Sequence, residues 1–481
     1  MSLRRADMRF VLPHPVAAAA VLGGLEDWRD GLRQGGVEVV EDVRRADVVV
    51  APRDYAAQAL ASGAPMLLIE GGGKAGGGYS ARSVQQLPDA AAPQLLLPVG
   101  GGRAVRYALR RRRPGESQRE KLRNAVAREA VAAGITVPGR PATLVAASAP
   151  GPPHAVALAA EAAGIGDPGW FASIATFAHP VSRAVFYVFA PGEDEPGWVV
   201  KFSRIPGLEV LFEQDAEGLR LAERTAGTVA AAAPRLLGRF DLGGGLHAAA
   251  ETAATGKLLG AVLRGPTPRA ARLELVARFA DWIVDVARET AAPPPSLMPA
   301  LEQLERDVVP HWSAAGLPGD VVASLPDLPS VFVHGDLNGE NVFVDGSRFG
   351  VVDWESAQSH GPPVWDVLYF LADALAAVEG VETPDEHLDH FARLFLGELD
   401  TSDLLFRCTR RAADAAGLPH HAVGPLATLL WLKLGLAESD HVKRLGRIQG
   451  DEVLEHPPMW RRSERWLRDP GLGVEWAAFP R

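Results

Sequence analysis

The chain has 481 residues, with 49 Lys and Arg against 59 Asp and Glu, a formal net charge of −10. At roughly 100–200 residues per domain, that length predicts two or three domains. The 47% hydrophobic and 22% charged content excludes wholesale disorder, and the acidic balance argues against a general nucleic-acid binder.

A single cysteine, Cys408, excludes an internal disulfide and a cysteine-rich zinc site. The first residues, MSLRRADMRFVLPHP, hold no apolar run of secretory length, and no stretch resembles a membrane span. These features predict a cytoplasmic chain with no transmembrane segment.

Taken in chain order, short apolar runs at Arg9–Leu12, Val37–Glu41, Asp47–Ala51, Met66–Glu70 and Gln94–Pro98 read as strands. Helical spacing fills Ala17–Gln34 and Tyr55–Ser62 between them. Such alternation predicts a parallel sheet covered by helices, so residues 1–165 are expected to hold an α/β domain of Rossmann-like layout. Gly71-Gly-Gly73-Lys-Ala-Gly76 matches G-x-G-x-x-G, but it follows the fourth expected strand rather than the first. No acidic residue ends a strand about twenty residues further on, so the segment reads as a loop and not as a dinucleotide fingerprint.

Residues 103–165 read as a basic helical linker. Arg103–Arg128 is arginine-rich and broken at Pro114-Gly115, and Ser117 and Glu120 are spaced as a capping box. A solvated pair of inter-domain helices is favoured over a patch for anionic partners. A strand-like Ala142–Ala147, the loop Ser148–Pro153 and a short helix at Val156–Ala163 follow. The two breaks predict that residues 166–481 fold on their own.

Beyond Gly169, the runs Ser173–Phe177, Ala184–Phe189 and Trp198–Phe202 alternate as strands do. A helix at Glu209–Arg224 and strand-like runs at Pro234–Phe240 and Leu246–Glu251 complete an antiparallel sheet with one inserted helix. From Gly256 onward the pattern is largely helical.

The most informative stretch is Val331–Glu355, VFVHGDLNGENVFVDGSRFGVVDWE. It reads as strand, tight loop, strand, turn and strand, ending on Asp353. Asp336, Asn341 and Asp353 are thereby projected from loops at the ends of short strands. Two carboxylates and an amide suit Mg²⁺, a hard cation that takes a few oxygen ligands and leaves other positions to phosphate and water. Asn341 and Asp353 would hold the metal, and Asp336 would orient and deprotonate a substrate hydroxyl.

His334-Gly-Asp-Leu-Asn-Gly-Glu-Asn341, followed by Asp353-Trp-Glu355, closely resembles the catalytic motif of aminoglycoside phosphotransferases and choline/ethanolamine kinases. These are small-molecule relatives of the protein kinases. The resemblance implies an α+β bilobal protein-kinase-like domain at 166–481, with lobes at 166–252 and 253–481. By position it implies Asp336 as catalytic base and Asn341 and Asp353 as metal ligands. Asp366, within Pro363–Tyr369, is implied as a brace for the catalytic loop.

A kinase also needs a phosphate-binding lysine on the third strand of its first lobe, and Trp198-Val-Val-Lys201-Phe fits. Glu217 is favoured as the helix partner of Lys201, with Glu213 and Asp215 left open. The loop Thr176–Arg183 is expected over the nucleotide phosphates. It contains no glycine, and Pro180 and Ser182 suit a short turn, which leaves ATP or GTP open. Ala249–Thr252 is the expected hinge.

The implied activity is Mg²⁺-dependent transfer of the ATP γ-phosphate to a hydroxyl of a small molecule such as an aminoglycoside, sugar or amino alcohol. Two alternatives stand beside it. Residues 1–165 could carry the main activity, on a nucleotide-sugar or envelope precursor, or the chain could be a regulatory pseudokinase. The intact set Lys201, Asp336, Asn341 and Asp353 counts against the second, and the lack of a catalytic constellation before Gly164 counts against the first. Glu438, Asp440, His441, Trp431, Trp460 and Trp466 are candidate acceptor-pocket residues, with plain helix packing equally consistent. The oligomeric state is open.

Overall fold

The computed structural model of the chain describes residues 5–74, 76, 78–87, 95–111, 126, 129–135, 141–174, 183–207, 209–225, 227–325, 327–449 and 456–472. They divide into two compact units, Met1–Ala216 with Arg235–Ala253, and Glu217–Pro234 with Ala254–Arg481.

The first unit is built on one sheet. Its strands are β1 (Ala18–Val21), β2 (Glu38–Val39), β3 (Val48–Pro52), β4 (Met66–Glu70), β5 (Ser80–Leu87) and β6 (Leu95–Pro98). They continue with β7 (Ala142–Ala147), β8 (Gly169–Ile174), β9 (Arg183–Phe189), β10 (Trp198–Ser203), β11 (Leu236–Asp241) and β12 (His247–Thr252). The described order is β11-β12-β10-β9-β8-β6-β5-β7-β4-β3-β1-β2. Only the β2-β1-β3-β4 end is parallel, and its inner strands β3 and β4 are apolar runs buried on both faces, as parallel strands require. Every other described pairing is antiparallel, so the sheet is mixed and departs from the all-parallel expectation.

β6 joins the early strands to the later ones by pairing with β8, Leu95 opposite Ser173 and Leu96 opposite Ala172. The boundary expected near residue 165 therefore runs through a continuous sheet. One hydrophobic cluster holds Trp28, Val48 and Leu68 together with Phe186, Phe202 and Ala250.

Several early elements differ from their expectation. Arg9–Leu12 is not a strand: Asp7–Val11 forms a buried 3₁₀ turn in which Phe10 stacks on Phe202 of β10 at 4.8 Å. Its Asp7 also lies 3.0 Å from Arg204, just past β10, with both side chains fully buried. The expected helix Ala17–Gln34 is a strand, β1, followed by a shorter helix at Glu26–Gln34. Alanine favours helix locally, but parallel pairing with β3 decides the outcome. β5 was not expected because its buried Gln85 and Gln86 break the apolar pattern. Gln85 donates to the Pro141 carbonyl (2.7 Å), and Gln86 accepts from Thr143 (3.0 Å). Of the basic linker, a helix at Gly102–Arg111 is described, whereas Pro114-Gly115, Ser117 and Glu120 lie outside the described residues.

The second unit is mainly helical. β13 (Lys257–Leu258) adds to a hairpin of β15 (Val342–Asp345) and β16 (Arg348–Val351), while β14 (Val331–Val333) pairs with β17 (Gln358–Gly361). The helix Trp365–Glu379 is apolar on nearly every side and runs through the core. Trp431 and Trp466 are fully buried and ringed by Phe391 and Phe395, which assigns these two tryptophans to packing rather than to a pocket. No described helix is long and apolar enough to cross a membrane.

Candidate active site

In the second unit the chain leaves β14 at Val333 and enters β15 at Val342, and His334–Asn341 forms a loop between them. Gly335 has φ +83°, and a Cβ there would meet the Ser356 carbonyl oxygen at 2.5 Å. Only glycine tolerates both that backbone and that approach. The His334 ring is pinned at both nitrogens: Nδ1 lies 3.3 Å from the Asp336 amide and Nε2 lies 3.0 Å from the Val352 carbonyl. The amide can only donate and the carbonyl can only accept, so Nε2 carries the proton. That bond ties the Asp336 loop to the segment leading into Asp353.

One face of the Trp365–Glu379 helix holds the loop. Asp366 accepts from the backbone N–H groups of His334 (2.7 Å) and Gly335 (2.9 Å). Tyr369 donates to the Asp336 carboxylate. Asp373 accepts from the Gly339 N–H at 2.9 Å. Positions 366, 369 and 373 follow the three-and-four spacing that puts residues on one helix face. The sequence shows this as polar residues recurring in an otherwise apolar helix, a signal that could have found Tyr369 and Asp373; both were missed.

Asp336 is half-buried, and its carboxylate accepts from Asn341 (3.1 Å) and Asn338 (3.3 Å). Its pKa is pushed up to about 7, first by burial and then by the charges of Asp353 and Glu355, while the bonds from Tyr369 and Asn341 pull the other way. Burial and the negative charges of Asp336 and Asp373 raise the Tyr369 phenol well above its ordinary value, so it stays protonated as the donor. Asn341 is buried; its amide nitrogen is spent on Asp336, and its amide oxygen has no hydrogen-bond partner among the described residues. Asp353 stands in the left-handed region (φ 64°, ψ 61°), rare for a residue with a side chain. The site thus gathers an open amide oxygen and a carboxylate, Asp336, whose pKa is raised by burial and by the charges of Asp353 and Glu355. Such a set accepts a hard cation and has chemistry for a proton. Among the described residues no group of three His, Cys, Asp or Glu side chains is placed to hold a metal ion.

In the first unit, β10 carries the buried Lys201. Its ammonium lies 2.9 Å from Asp215 and 3.2 Å from Glu251. The register explains Glu251. Lys201 faces Ala249 of β12 and Val199 faces Glu251, so Lys201 and Glu251 are diagonal neighbours on one sheet face. Arg183 adds a second cation 3.7 Å from Asp215.

Glu217 is not the partner of Lys201. It is exposed and binds Arg224 at 2.8 Å and Arg220 at 3.5 Å. Two residues on a helix differ by about 200°, so Asp215 and Glu217 point to opposite sides. The buried stripe of that helix runs Phe212, Asp215, Ala216, Leu219, Ala222, and its one acidic member identifies the partner. Ser182 and the rest of the expected phosphate loop before Arg183 lie outside the described residues.

Residues 173–401 match the model of the phosphotransferase enzyme family, APH. The matched segment includes both the Lys201 strand and the Asp336 loop, so the chain resembles the aminoglycoside phosphotransferases over more than its motif. No curated protein matches the chain. Among solved structures, a thermostable aminoglycoside phosphotransferase APH(4)-Ia with ADP and hygromycin B is 16% identical, covering 60% of this chain and 95% of that one, at a TM-score of 0.34. A glucosamine kinase with glucosamine, ADP and inorganic phosphate is 17% identical, covering 66% and 83%, at 0.36. The GDP and kanamycin complex of APH(2")-IIia is 14% identical, covering 58% and 90%, at 0.37. Scores this low say nothing about substrate or nucleotide.

Proposed function

We propose that this chain, aminoglycoside-phosphotransferase-like over residues 173–401, is a kinase that moves the γ-phosphoryl group of ATP to a hydroxyl of a small molecule. The observation that carries the reading is the Asp336 loop. A half-buried carboxylate with a pKa pushed up to about 7 sits beside the open Asn341 amide oxygen and Asp353, and three residues of one helix face hold it in place.

Asp336 accepts the proton of the acceptor hydroxyl as that oxygen bonds to the γ-phosphorus and the bond to ADP breaks. A general base works best with a pKa near the working pH, and burial beside acidic neighbours supplies that value. Tyr369 and Asn341 fix the carboxylate's orientation. Asn341 and Asp353 would hold Mg²⁺, which supplies positive charge to the phosphate oxygens as charge develops there. Lys201, oriented by Asp215 and Glu251, offers its ammonium to the nucleotide phosphates, and the partner role expected of Glu217 passes to these two carboxylates. An aminoglycoside, a sugar or an amino alcohol remains the proposed acceptor class, and GTP an alternative donor.

The test is ATP consumption by the purified protein against pooled aminoglycosides, sugars, amino alcohols and nucleosides. Acceptor-dependent ADP release that EDTA abolishes supports the reading. Nucleotide binding without turnover on any pool, unchanged by EDTA, would place the chain among pseudokinases instead.

A further inference from the structure

The second unit holds a cavity of about 240 Å³ that none of Asp336, Asn341 and Asp353 lines. Gln303 and Asp307 come from the helix Met298–Asp307, Gln358 from β17, Trp365 from the start of the core helix, and Lys433 and Asp440 from the helix Val423–Gln449. The size suits a small metabolite rather than a drug-sized ligand.

Lys433 is the unusual member. Its ammonium lies 4.9 Å from the centroid of the Trp365 ring, and among the described residues it makes no hydrogen bond and no ion pair. Burial pushes its pKa down, and the charge acting against that is Asp366. Asp366 is already committed, because both of its oxygens accept backbone N–H groups of the Asp336 loop. A partly desolvated cation whose counter-charge is spent elsewhere gains most from an anionic group brought in by a ligand. Asp307 and Asp440 are both exposed along the cavity wall and carry the opposite preference. They favour an ammonium or hydroxyl and disfavour a multiply charged anion such as a phosphate ester.

We propose that this cavity binds a small amphoteric molecule, its carboxylate on Lys433 above the Trp365 ring and its amine or hydroxyl groups on Asp307 and Asp440. The site is separate from the proposed base and metal ligands. It lies behind the residue that braces the catalytic loop, so an occupant that neutralises Lys433 alters the field at Asp366.

Three probes separate the two charges: 6-aminohexanoate carries both, hexanoate only the carboxylate, hexylamine only the amine. None has a hydroxyl, so their binding is read by calorimetry without nucleotide, and failure of the kinase reading leaves the result intact. The zwitterion should bind about tenfold more tightly than either single-charge probe. Lys433→Met, which keeps the aliphatic stem, should weaken 6-aminohexanoate and hexanoate about tenfold and leave hexylamine unchanged. If Lys433→Met does not fold, Asp440→Asn at the exposed wall carries the test, and it should reduce the advantage of the zwitterion over hexanoate. Equal affinity of the three probes, no binding of the carboxylate probes, or variants that bind as the parent does would each overturn the proposal.

Discussion

The Lys201 ammonium lies 2.9 Å from Asp215, and Asp215 is the acidic residue of its helix that falls within the buried stripe. Glu217, two positions on, is turned to the opposite side and occupied by arginines. Removing the buried charge takes from Lys201 a partner 2.9 Å away, whereas an exposed ion pair contributes little. Asp215→Asn should weaken ATP binding about tenfold, while Glu217→Gln should stay within about twofold. Titration calorimetry on both variants, with melting temperatures as a folding control, decides it. The reverse ranking would return the partnership to Glu217.

Asp336→Asn should retain nucleotide binding and lose about 10²–10⁴-fold in turnover, the scale of general-base and positioning effects. Turnover within threefold of the parent protein would remove Asp336 from the role of base.

The raised pKa of Asp336 has a sign that stability can read. Its carboxyl moves from an ordinary 3.8 to about 7 in the folded chain, so the folded state binds the proton more tightly than the unfolded state does. In metal-free protein its contribution is fully present below about 4 and is lost as pH rises to about 7. Denaturant melts across that range should show a stability decrease that Asp336→Asn flattens. An identical pH slope in both proteins would place the titration elsewhere.

Asp353 and Asn341 are tested by the metal. Asp353→Ala should weaken Mg²⁺-dependent ATP binding, and the chain should still unfold cooperatively. The same substitution should lower the pKa of Asp336, because one of the charges that raises it is gone. ATP affinity indifferent both to EDTA and to this variant would contradict the assignment.

A chain beginning at residue 166 loses β6 from the edge of β8, and it loses the Phe10 and Asp7 contacts with Phe202 and Arg204. It exposes an unpaired strand edge and part of a shared apolar cluster, the conditions for association between chains. Size-exclusion chromatography should therefore show aggregated or poorly folded material. A monomeric fragment that unfolds cooperatively and binds ATP would show that residues 166–481 fold alone, as the linker breaks imply.

The loop His334–Asn341 was legible because its pattern is local. Asp336, Asn341 and Asp353 lie within eighteen positions of one another, and strands of three or four residues leave few ways to arrange them. The same holds for Lys201, since three apolar neighbours and a scarcity of lysine left little choice. The errors fall where distant segments decide. Arg9–Leu12 reads as a strand by composition, but Asp7–Val11 forms a turn clamped by Phe202 and Arg204, about 190 positions away.

Residue type and spacing along the chain were enough to place the His334–Asn341 loop, the Lys201 strand and the alternation of strands and helices. Which carboxylate Lys201 meets, that Glu251 joins it, and that early and late strands form one sheet followed only from the fold. Hydrogen bonding within a few residues is set by backbone geometry that the local sequence dictates. Pairing between β6 and β8, or between Lys201 and a diagonal neighbour on β12, is set by register, which depends on burying one face of a whole sheet at once.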